Sequence, residues 1–345
     1  MNPILSVADY RSDTVTRPTP AMLEAMFHAK VGDDVFEDDP TIHELEEKGA
    51  SMFGKEAALF CTSGTMTNQI AIKVHTQPGD EVICDKNAHI YSHEGGGIAF
   101  NSGASVRLID GDRGRLNANQ VEENINPDNI HNPITRLVAL ENTVNRGAGS
   151  YYDLKEIKKI GQVTDNHGLI LHLDGARIFN ALAETGESPK EYGAVFDSIS
   201  VCLSKGLGAP VGSLLLGTKA MIKKARRIRK VMGGGWRQAG FLAAAGIYAL
   251  DHNITRLKED HIRAEKLHKT ISGLSYVDSV FPQDTNIIIF KLKDDINVPD
   301  FQQFLKNQNI LISPMGKQSV RLVTHLDIND EMIGRTIESL KQFKG

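Results

Sequence analysis

The stretch Leu169-Ile170-Leu171-His172-Leu173-Asp174-Gly175-Ala176-Arg177 decides the fold. Its apolar first half is typical of a buried β-strand. The predicted strand ends at Asp174, which is followed by a Gly-Ala turn. A second apolar run, at residues 198–203, is followed directly by Ser204-Lys205-Gly206. Asp174 and Lys205 therefore stand at the ends of two predicted strands.

Strand ends of a parallel sheet meet at a common edge, where open α/β sheets bind their ligands. A carboxylate and an amine at such an edge suit pyridoxal 5'-phosphate (PLP). The amine forms a Schiff base with the aldehyde, and the carboxylate keeps the ring nitrogen protonated, so the ring accepts electrons. Taken alone, Asp174 could cap a turn and Lys205 could be a solvated surface lysine. Together they predict a PLP site.

The surrounding sequence alternates between strand and helix patterns. This alternation predicts an α/β fold, a large PLP-binding domain in which helices cover a mostly parallel sheet. Residues 211–216 follow Lys205 too closely for a helical crossover, so they predict an antiparallel return strand. The predicted strands are 57–61, 81–84, 105–109 and 135–140, and the predicted helices are 41–53, 64–75 and 155–167.

After about residue 250 the pattern changes to a charged helix followed by a β-α-β-α order. This order predicts a small C-terminal α+β domain and places the boundary at residue 251. The two predicted domains are residues 1–251, with the N-terminal segment and the PLP-binding fold, and residues 252–345. The C-terminal elements are a helix at 254–270, a strand at 286–290, a helix at 300–307, a strand at 319–323 and a final helix.

A phosphate site is predicted where the strand at 57–61 gives way to the next helix. Ser63-Gly64-Thr65 forms the turn, and the first N–H groups of the helix point out of its end. Such N–H groups, together with hydroxyls, hold a phosphate dianion. An ordinary N-cap is the alternative interpretation of the same residues.

Composition excludes several classes of protein. The net charge of −4 gives no electrostatic reason to expect nucleic acid. No apolar run approaches a membrane span, and the first ten residues lack the pattern of a signal peptide. The three cysteines lie far apart, which favours buried thiols in a reducing compartment. We therefore expect a cytoplasmic protein without membrane or nucleic-acid partners.

Two further patterns in the sequence allow more than one interpretation. His89 and His93 have helical ligand spacing, but no third ligand follows at a recognisable spacing, so we expect no metal. The basic run at 223–230 continues into a glycine-rich segment at 232–238. Charge runs are usually solvated helix faces. Because glycines allow close approach to a chain or an anion, we interpret this segment as an interface that contacts phosphate.

Six short motifs follow one another along the chain: Arg11-Ser12-Asp13-Thr14-Val15-Thr16, Val31-Gly32-Asp33-Asp34-Val35, Ser63-Gly64-Thr65-Met66, His172-Leu173-Asp174-Gly175-Ala176-Arg177, Leu203-Ser204-Lys205-Gly206-Leu207 and Arg321-Leu322-Val323-Thr324-His325. In these motifs, from about residue 10 to its end, the chain resembles the low-specificity L-threonine aldolases of the β-eliminating lyase/threonine aldolase group. That resemblance implies the aspartate-aminotransferase-like fold (fold type I) and PLP-dependent cleavage of L-threonine, L-allo-threonine and related β-hydroxy amino acids to glycine and an aldehyde such as acetaldehyde.

The resemblance also implies residue roles. Lys205 would bond the cofactor aldehyde, Asp174 would pair with the ring nitrogen, and His89 would stack on the ring. His131 would approach the substrate hydroxyl. The implied phosphate contacts are Ser63, Gly64 and Thr65, with Lys230 and Arg237 from a neighbouring subunit. The implied contacts of the substrate carboxylate are Ser12, Arg177 and Arg321, and Arg177 is expected to contact the cofactor as well.

Shared active sites imply a homo-oligomer, at least a dimer, with a tetramer as the expected form; the residues do not choose between them. One departure is Val144, which stands where the family commonly has histidine and so leaves substrate preference open. Two alternatives to the aldolase reaction remain. One is another PLP reaction, such as β-elimination, transamination or racemisation. The other is a silent PLP-fold binding protein, which the presence of both Lys205 and Asp174 opposes.

Overall fold

The computed structural model describes residues 6–344, and within them strands and helices alternate over most of the chain. The strands are β1 (Ala8–Asp9), β2 (Ala57–Cys61), β3 (Asp80–Asp85), β4 (Ser105–Ile109), β5 (Ile134–Glu141), β6 (Ile170–Gly175), β7 (Ser198–Cys202), β8 (Ser213–Gly217), β9 (Val277–Val280), β10 (Ile287–Leu292), β11 (Ile310–Leu311), β12 (Ser313–Pro314) and β13 (Ser319–Val323).

The first two α-helices each start with a proline, and the last is the C-terminal helix. They are α1 (Pro20–Phe27), α2 (Pro40–Phe53), α3 (Gly64–His75), α4 (His89–Ser92), α5 (Ala118–Glu123), α6 (Leu154–His167), α7 (Ile178–Thr185), α8 (Pro189–Val195), α9 (Lys219–Val231), α10 (Gly240–His252), α11 (Leu257–Ile271), α12 (Val298–Asn307) and α13 (Asp330–Gln342). Short 3-10 helices lie at Asp13–Val15 and Asp34–Phe36, and a π-helical turn lies at Ile98–Ser102.

The central sheet has seven strands in the order β2-β8-β7-β6-β5-β3-β4. Strands β7, β6, β5, β3 and β4 pair in parallel, and β8 runs antiparallel to both β7 and β2. The predicted mostly parallel α/β sheet and the antiparallel return are thus confirmed. Strand β2 lies parallel to β7, because both oppose β8, so the carboxyl ends of all strands except β8 share one edge.

Local sequence explains where these elements end. Helix α6 is capped by Asp153, whose side chain accepts from the Lys155 N–H, and it stops at Gly168, which has a φ of 64°. The return strand starts at Ser213, two residues later than predicted from the sequence. Gly212 precedes it with a φ of 115°, and a Cβ there would lie 2.4 Å from the Phe60 ring. Only glycine fits this close approach to β2.

A second, antiparallel sheet has the order β12-β13-β10-β9 and carries the predicted C-terminal strands. Its core packs helices α11, α12 and α13 around buried residues such as Phe290 and Phe301. The N-terminal strand β1 pairs in parallel with β11, and Tyr10 is buried in the same core. Residues 8–10 therefore pack with the C-terminal elements. The division of the chain at residue 251 stays a prediction.

Candidate active site

The shared carboxyl edge of the central sheet gathers side chains from distant parts of the sequence. Each follows or ends a different strand, so the parallel topology alone brings them to one side of the molecule. They are Ser63 after β2, His89 after β3, Glu141 at the end of β5, Asp174 in β6 and Lys205 after β7.

Asp174 is a buried carboxylate with two neutral donors. The Asn68 side chain donates from Nδ2 to Asp174 Oδ2 at 2.9 Å, and the Ala176 N–H donates to Oδ1 at 3.2 Å. The same Asn68 Nδ2 donates to Glu94 Oε1 at 2.9 Å. No lysine or arginine of the described residues forms an ion pair with Asp174, so its carboxylate has room for a cationic partner in the site.

His172 fixes the orientation of the Asn68 side-chain amide from the protein interior. Its Nε2 lies 3.2 Å from Asn68 Oδ1, and its Nδ1 lies 2.9 Å from Ser198 Oγ. Burial lowers the pKa of His172 to about 4, so the ring is neutral at pH 7. Because an amide oxygen only accepts, the neutral ring carries its proton on Nε2 and accepts from Ser198 at Nδ1. Asn68 is therefore held with its NH₂ group towards the two carboxylates.

His89 stands at the start of α4 and is held through both backbone and ring. Its N–H donates to Glu141 Oε2 at 2.7 Å, and its Nδ1 lies 2.9 Å from Glu94 Oε1. Burial by itself lowers the pKa of His89, but the hydrogen bond to Glu94 and the charges of Asp174 and Glu141 raise it overall. Burial and the nearby Asp174 raise the pKa of Glu141 to about 7.

The predicted phosphate turn has the geometry of a helix N-terminus. Ser63 is the N-cap of α3, and its hydroxyl accepts from the Met66 N–H at 3.2 Å. The N–H groups of Gly64 and Thr65, at the first two helical positions, have no partner within the helix. A Cβ at Gly64 would lie 2.6 Å from Cys202 Sγ, so glycine lets α3 start directly against β7.

Lys205 is half-buried beyond the end of β7. Its backbone carbonyl accepts from Thr16 Oγ1 at 3.2 Å, which links it to the N-terminal segment. Asp13 of that segment lies close enough for the charge of Lys205 to lower the pKa of the Asp13 carboxyl. The structure thus brings Lys205 and Asp174 to the same edge of the sheet, as the sequence predicts.

Arg177 and Asp13 form a buried two-point ion pair, with Nε to Oδ2 at 2.7 Å and Nη2 to Oδ1 at 2.6 Å. Burial by itself raises the pKa of Asp13, but Arg177 outweighs it and the pKa falls to about 2. Asp13 therefore occupies two of the three Arg177 nitrogens, and the implied contact of Arg177 with a substrate carboxylate stays a prediction. The outer nitrogen Nη1 of Arg177 is the atom with no partner among the described residues.

Arg321 and Ser12 lie beside this pair. Arg321 Nη1 donates to Asn145 Oδ1 at 2.7 Å, and Nη2 donates to the Arg11 carbonyl at 2.9 Å. Burial and the charge of Arg177 lower the pKa of Arg321 to about 10. Ser12 caps the short helix at Asp13–Val15. The guanidinium groups of Arg177 and Arg321 are both positively charged, so a site between them favours an anion.

His131 stands apart from the site of its own chain, so its predicted role stays a prediction. It is exposed and lies in the loop that leads into β5, at the amino end of that strand. Glu141 ends β5 on the site side, and a strand of 8 residues spans roughly 25 Å. His131 therefore stands at the opposite edge of the sheet and cannot reach the hydroxyl of a substrate bound in its own chain.

Lys230 and Arg237 form no hydrogen bond with the Ser63-Gly64-Thr65 turn of their own chain. Both are exposed, and Arg237 pairs with Asp33 at 2.8 Å. The Lys230 side chain runs along Gly235, where a Cβ would approach its Nζ to 2.9 Å. Their implied contact with the phosphate of a neighbouring subunit stays a prediction.

The sequence did not indicate five residues that complete the site. Hydrogen bonds of their side chains link them to predicted residues or to one another. Two of them could have been noticed in the sequence, because Asp13 belongs to the Arg-Ser-Asp motif and Glu94 stands five residues after His89. By contrast, no spacing rule pairs Asn68 with Asp174. These residues are Asp13, Asn68, Glu94, Glu141 and His172.

Within residues 6–344, the structure contains no helix that is both long and apolar enough to cross a bilayer.

Comparison with known proteins connects this site to a family. The family described as beta-eliminating lyase matches residues 9–295. The low-specificity L-threonine aldolase of Escherichia coli K12 is 44% identical over 336 residues, which are 97% of this chain and 98% of that protein. A probable low-specificity L-threonine aldolase of Arabidopsis thaliana is 39% identical over 333 residues, 94% of each chain.

Solved structures show the same fold at lower sequence identity. The threonine aldolase of Leishmania major superimposes with a TM-score of 0.84 at 22% identity, covering 97% of this chain and 99% of the other. The serine palmitoyltransferase of Sphingomonas wittichii gives a TM-score of 0.76 at 17% identity, covering 97% and 86%. The predicted fold class is therefore confirmed.

Proposed function

Because the chain belongs to the beta-eliminating lyase family, we propose that it is a PLP-dependent aldehyde-lyase. It cleaves L-threonine, L-allo-threonine and related β-hydroxy amino acids to glycine and an aldehyde such as acetaldehyde. The relatives that support this are threonine aldolases at 44% and 39% identity over nearly the whole chain. The observation that carries it is structural: buried Asp174 and half-buried Lys205 meet at the strand ends beside the first turn of α3.

The residues present fit PLP. Asp174 is 2% exposed, and its donors are an amide and a backbone N–H, so a ring N–H⁺ would supply the missing cation. Lys205 offers an amine at the same edge, and the start of α3 offers N–H groups for the phosphate. Asp174 would hold the ring nitrogen, Lys205 the aldehyde carbon, and Ser63, Gly64 and Thr65 the phosphate.

When bound, PLP supplies an electron-withdrawing ring that accepts the electron pair released as the Cα–Cβ bond breaks. The chain's own residues hold and orient the substrate. Arg321 and Nη1 of Arg177 would bind the substrate carboxylate and turn the Cα–Cβ bond perpendicular to the ring, the orientation needed for overlap. Asp174 would keep a proton on the ring nitrogen, and His89 would stack on the ring.

The substrate preference depends on groups near the hydroxyl. Val144 is buried, with 1% of its surface exposed, and its side chain has no proton to exchange. His131 does not reach the site of its own chain. Of the groups described at this edge, the imidazole of His89 remains as one that can accept a proton from the hydroxyl, directly or through a water.

The active site of one chain is completed by a second copy. Lys230 and Arg237 would reach the neighbour's phosphate, because each is exposed and neither bonds to its own chain's phosphate turn. Val231, 88% exposed beside Lys230, offers an apolar contact on the same surface. The assembly is at least a dimer, and a tetramer is its expected form. The chain works in the cytoplasm, a proposal supported by three buried free cysteines.

The product identifies the reaction. Purified protein with PLP is given L-threonine or L-allo-threonine, and acetaldehyde and glycine are measured against ammonia and a keto acid. Equal amounts of aldehyde and glycine support the aldolase reaction. Ammonia with a keto acid would support β-elimination or transamination instead, and no turnover of any β-hydroxy amino acid would contradict an enzymatic role.

A further inference from the structure

Glu94 is a buried acid to which the proposed function assigns no task. Its side chain is 0% exposed, and no lysine or arginine of the described residues neutralises it. Three neutral or ring N–H groups surround it instead: Asn68 Nδ2 at 2.9 Å, Gln69 Nε2 at 2.6 Å and His89 Nδ1 at 2.9 Å. A buried carboxylate is costly unless it is paired and hydrogen-bonded, so Glu94 calls for a partner that can itself carry a positive charge.

That partner is the ring of His89, whose two nitrogens have different surroundings. Nδ1 faces the Glu94 carboxylate, while Nε2 has no hydrogen-bond partner among the described residues and the side chain is 30% exposed. The other ionisable groups around the ring are Asp174, Glu141 and His93, the last stacked on it at 5.5 Å between ring centroids.

We infer that Glu94 is a positioning residue that fixes the proton of His89 on Nδ1 and so presents Nε2 to the substrate. The inference rests on the proposed function, because it assigns His89 a task in that reaction. An ionised carboxylate can only accept hydrogen bonds, so Nδ1 must carry the proton for the 2.9 Å contact to exist. Nε2 is then the nitrogen that can take up or release a proton on the open side of the ring.

The neighbouring amides both present N–H donors to Glu94, which suits the oxygens of a carboxylate because these only accept. Asn68 Nδ2 and Gln69 Nε2 approach opposite oxygens of the carboxylate, and Asn68 is oriented by neutral His172. A glutamine at position 94 would turn an NH₂ group towards one of these donors. It would also withdraw the negative charge that favours the protonated ring, and the pKa of His89 would fall.

The first test measures His89 itself. Protein with ¹⁵N-labelled histidine is titrated by NMR with PLP bound, and a His89→Asn variant assigns the signal. In Glu94→Gln the pKa of His89 should fall by about one unit or more, the usual effect of losing an adjacent opposite charge. Glu94→Asp, which keeps the charge, should restore most of the pKa. An unchanged His89 titration in Glu94→Gln would overturn the inference.

The second test separates positioning from a merely structural effect. The pH profile of kcat/KM for L-threonine should shift to lower pH in Glu94→Gln, with kcat reduced about tenfold and KM changed less. In a His89→Asn background the same substitution should cost almost nothing, because Glu94 acts through that ring. Additive losses in the double variant, or a loss that follows PLP affinity alone, would overturn the inference.

The two proposals fail in different ways. If wild-type protein releases no aldehyde from any β-hydroxy amino acid, the proposed reaction is wrong, while the NMR titration still decides whether Glu94 controls His89. If the wild type is an aldolase and Glu94→Gln leaves both the titration and the pH profile unchanged, only the inference about Glu94 is wrong.

Discussion

Asp13 and Arg177 lie far apart in sequence and form a buried, two-point ion pair directly beside Lys205. The pair ties the N-terminal segment to the turn after β6. Its side chains are 0% and 5% exposed, so removing one partner leaves a buried charge unpaired.

We predict that Asp13→Asn lowers the free energy of unfolding by about 3–5 kcal/mol, the usual cost of breaking one side of a buried pair. The measurement is urea unfolding of the PLP-loaded protein at pH 7. Because the folded pKa of Asp13 is lowered to about 2, the pair's contribution is complete above the pKa of the unfolded chain and is lost as the pH falls towards 2. As a control, Asp9→Asn removes an exposed contact to Arg11 and should cost under about 1 kcal/mol. Equal costs for the two variants would contradict the buried pair.

Lys205 is predicted to be the residue that bonds the cofactor. The PLP-loaded protein should be yellow, and borohydride reduction should fix the cofactor on the peptide that contains Lys205. Lys205→Ala should lose this labelling and the visible band of the covalent bond. The matched control is Lys219→Ala at the start of α9, which should be labelled like the wild type. Cofactor fixed on another peptide would refute the central assignment.

Asp174→Asn tests the charge on the ring nitrogen separately from the shape of the pocket. Asparagine can keep the contact to Asn68 through its oxygen, so PLP should still bind. Loss of the negative charge should lower kcat for aldol cleavage by roughly 10²-fold or more. Cofactor affinity is measured by absorbance titration and kcat by aldehyde release. A turnover number close to that of the wild type would rule out the electrostatic role.

The residues at the carboxyl edge of the sheet could be predicted because each is marked by its immediate neighbours in the sequence. Asp174 and Lys205 each follow a recognisable apolar strand, and Ser63-Gly64-Thr65 stands between a strand and a helix. Parallel topology then brings strand ends together without any knowledge of side-chain contacts. The same reasoning applies to His131. It stands before the strand β5, so strand direction alone places it at the amino edge.

The supporting network could not be predicted, because its contacts join residues that no periodicity relates. Asn68 lies on α3, and nothing in the sequence pairs it with Asp174 or with Glu94. In the sequence, His172 is a single polar residue within an apolar strand. The structure shows that its two ring nitrogens contact Asn68 and Ser198. Such pairings depend on how helix α3 packs against β6 and β7, which is a property of the folded chain.

His172 should make stability depend on pH. Its folded pKa is lowered by burial to about 4, against 6.5 for the free side chain. Between these values the unfolded chain binds more protons, so stability falls as the pH drops from 6.5 to 4. The loss from this group is on the order of 3 kcal/mol. In His172→Gln this part of the pH dependence should be missing when urea unfolding is compared at pH 7 and pH 4.5. An identical pH slope in both proteins would show that the ring is not held neutral.

The shared active site predicts complementation between two defective chains. Arg237→Ala removes a cation proposed to reach the neighbour's phosphate, and Lys205→Ala removes the amine that bonds the cofactor. Each variant alone should be poorly active, because every one of its sites carries a defect. After subunit exchange, a mixed dimer contains one site with an intact Lys205 and the partner's intact Arg237, so activity should partly return. The control mixes Arg237→Ala with Arg237→Ala/Lys205→Ala, where no site is complete and no recovery is expected. If exchange is confirmed by native mass spectrometry and the first mixture stays as inactive as its parents, Arg237 acts within its own chain.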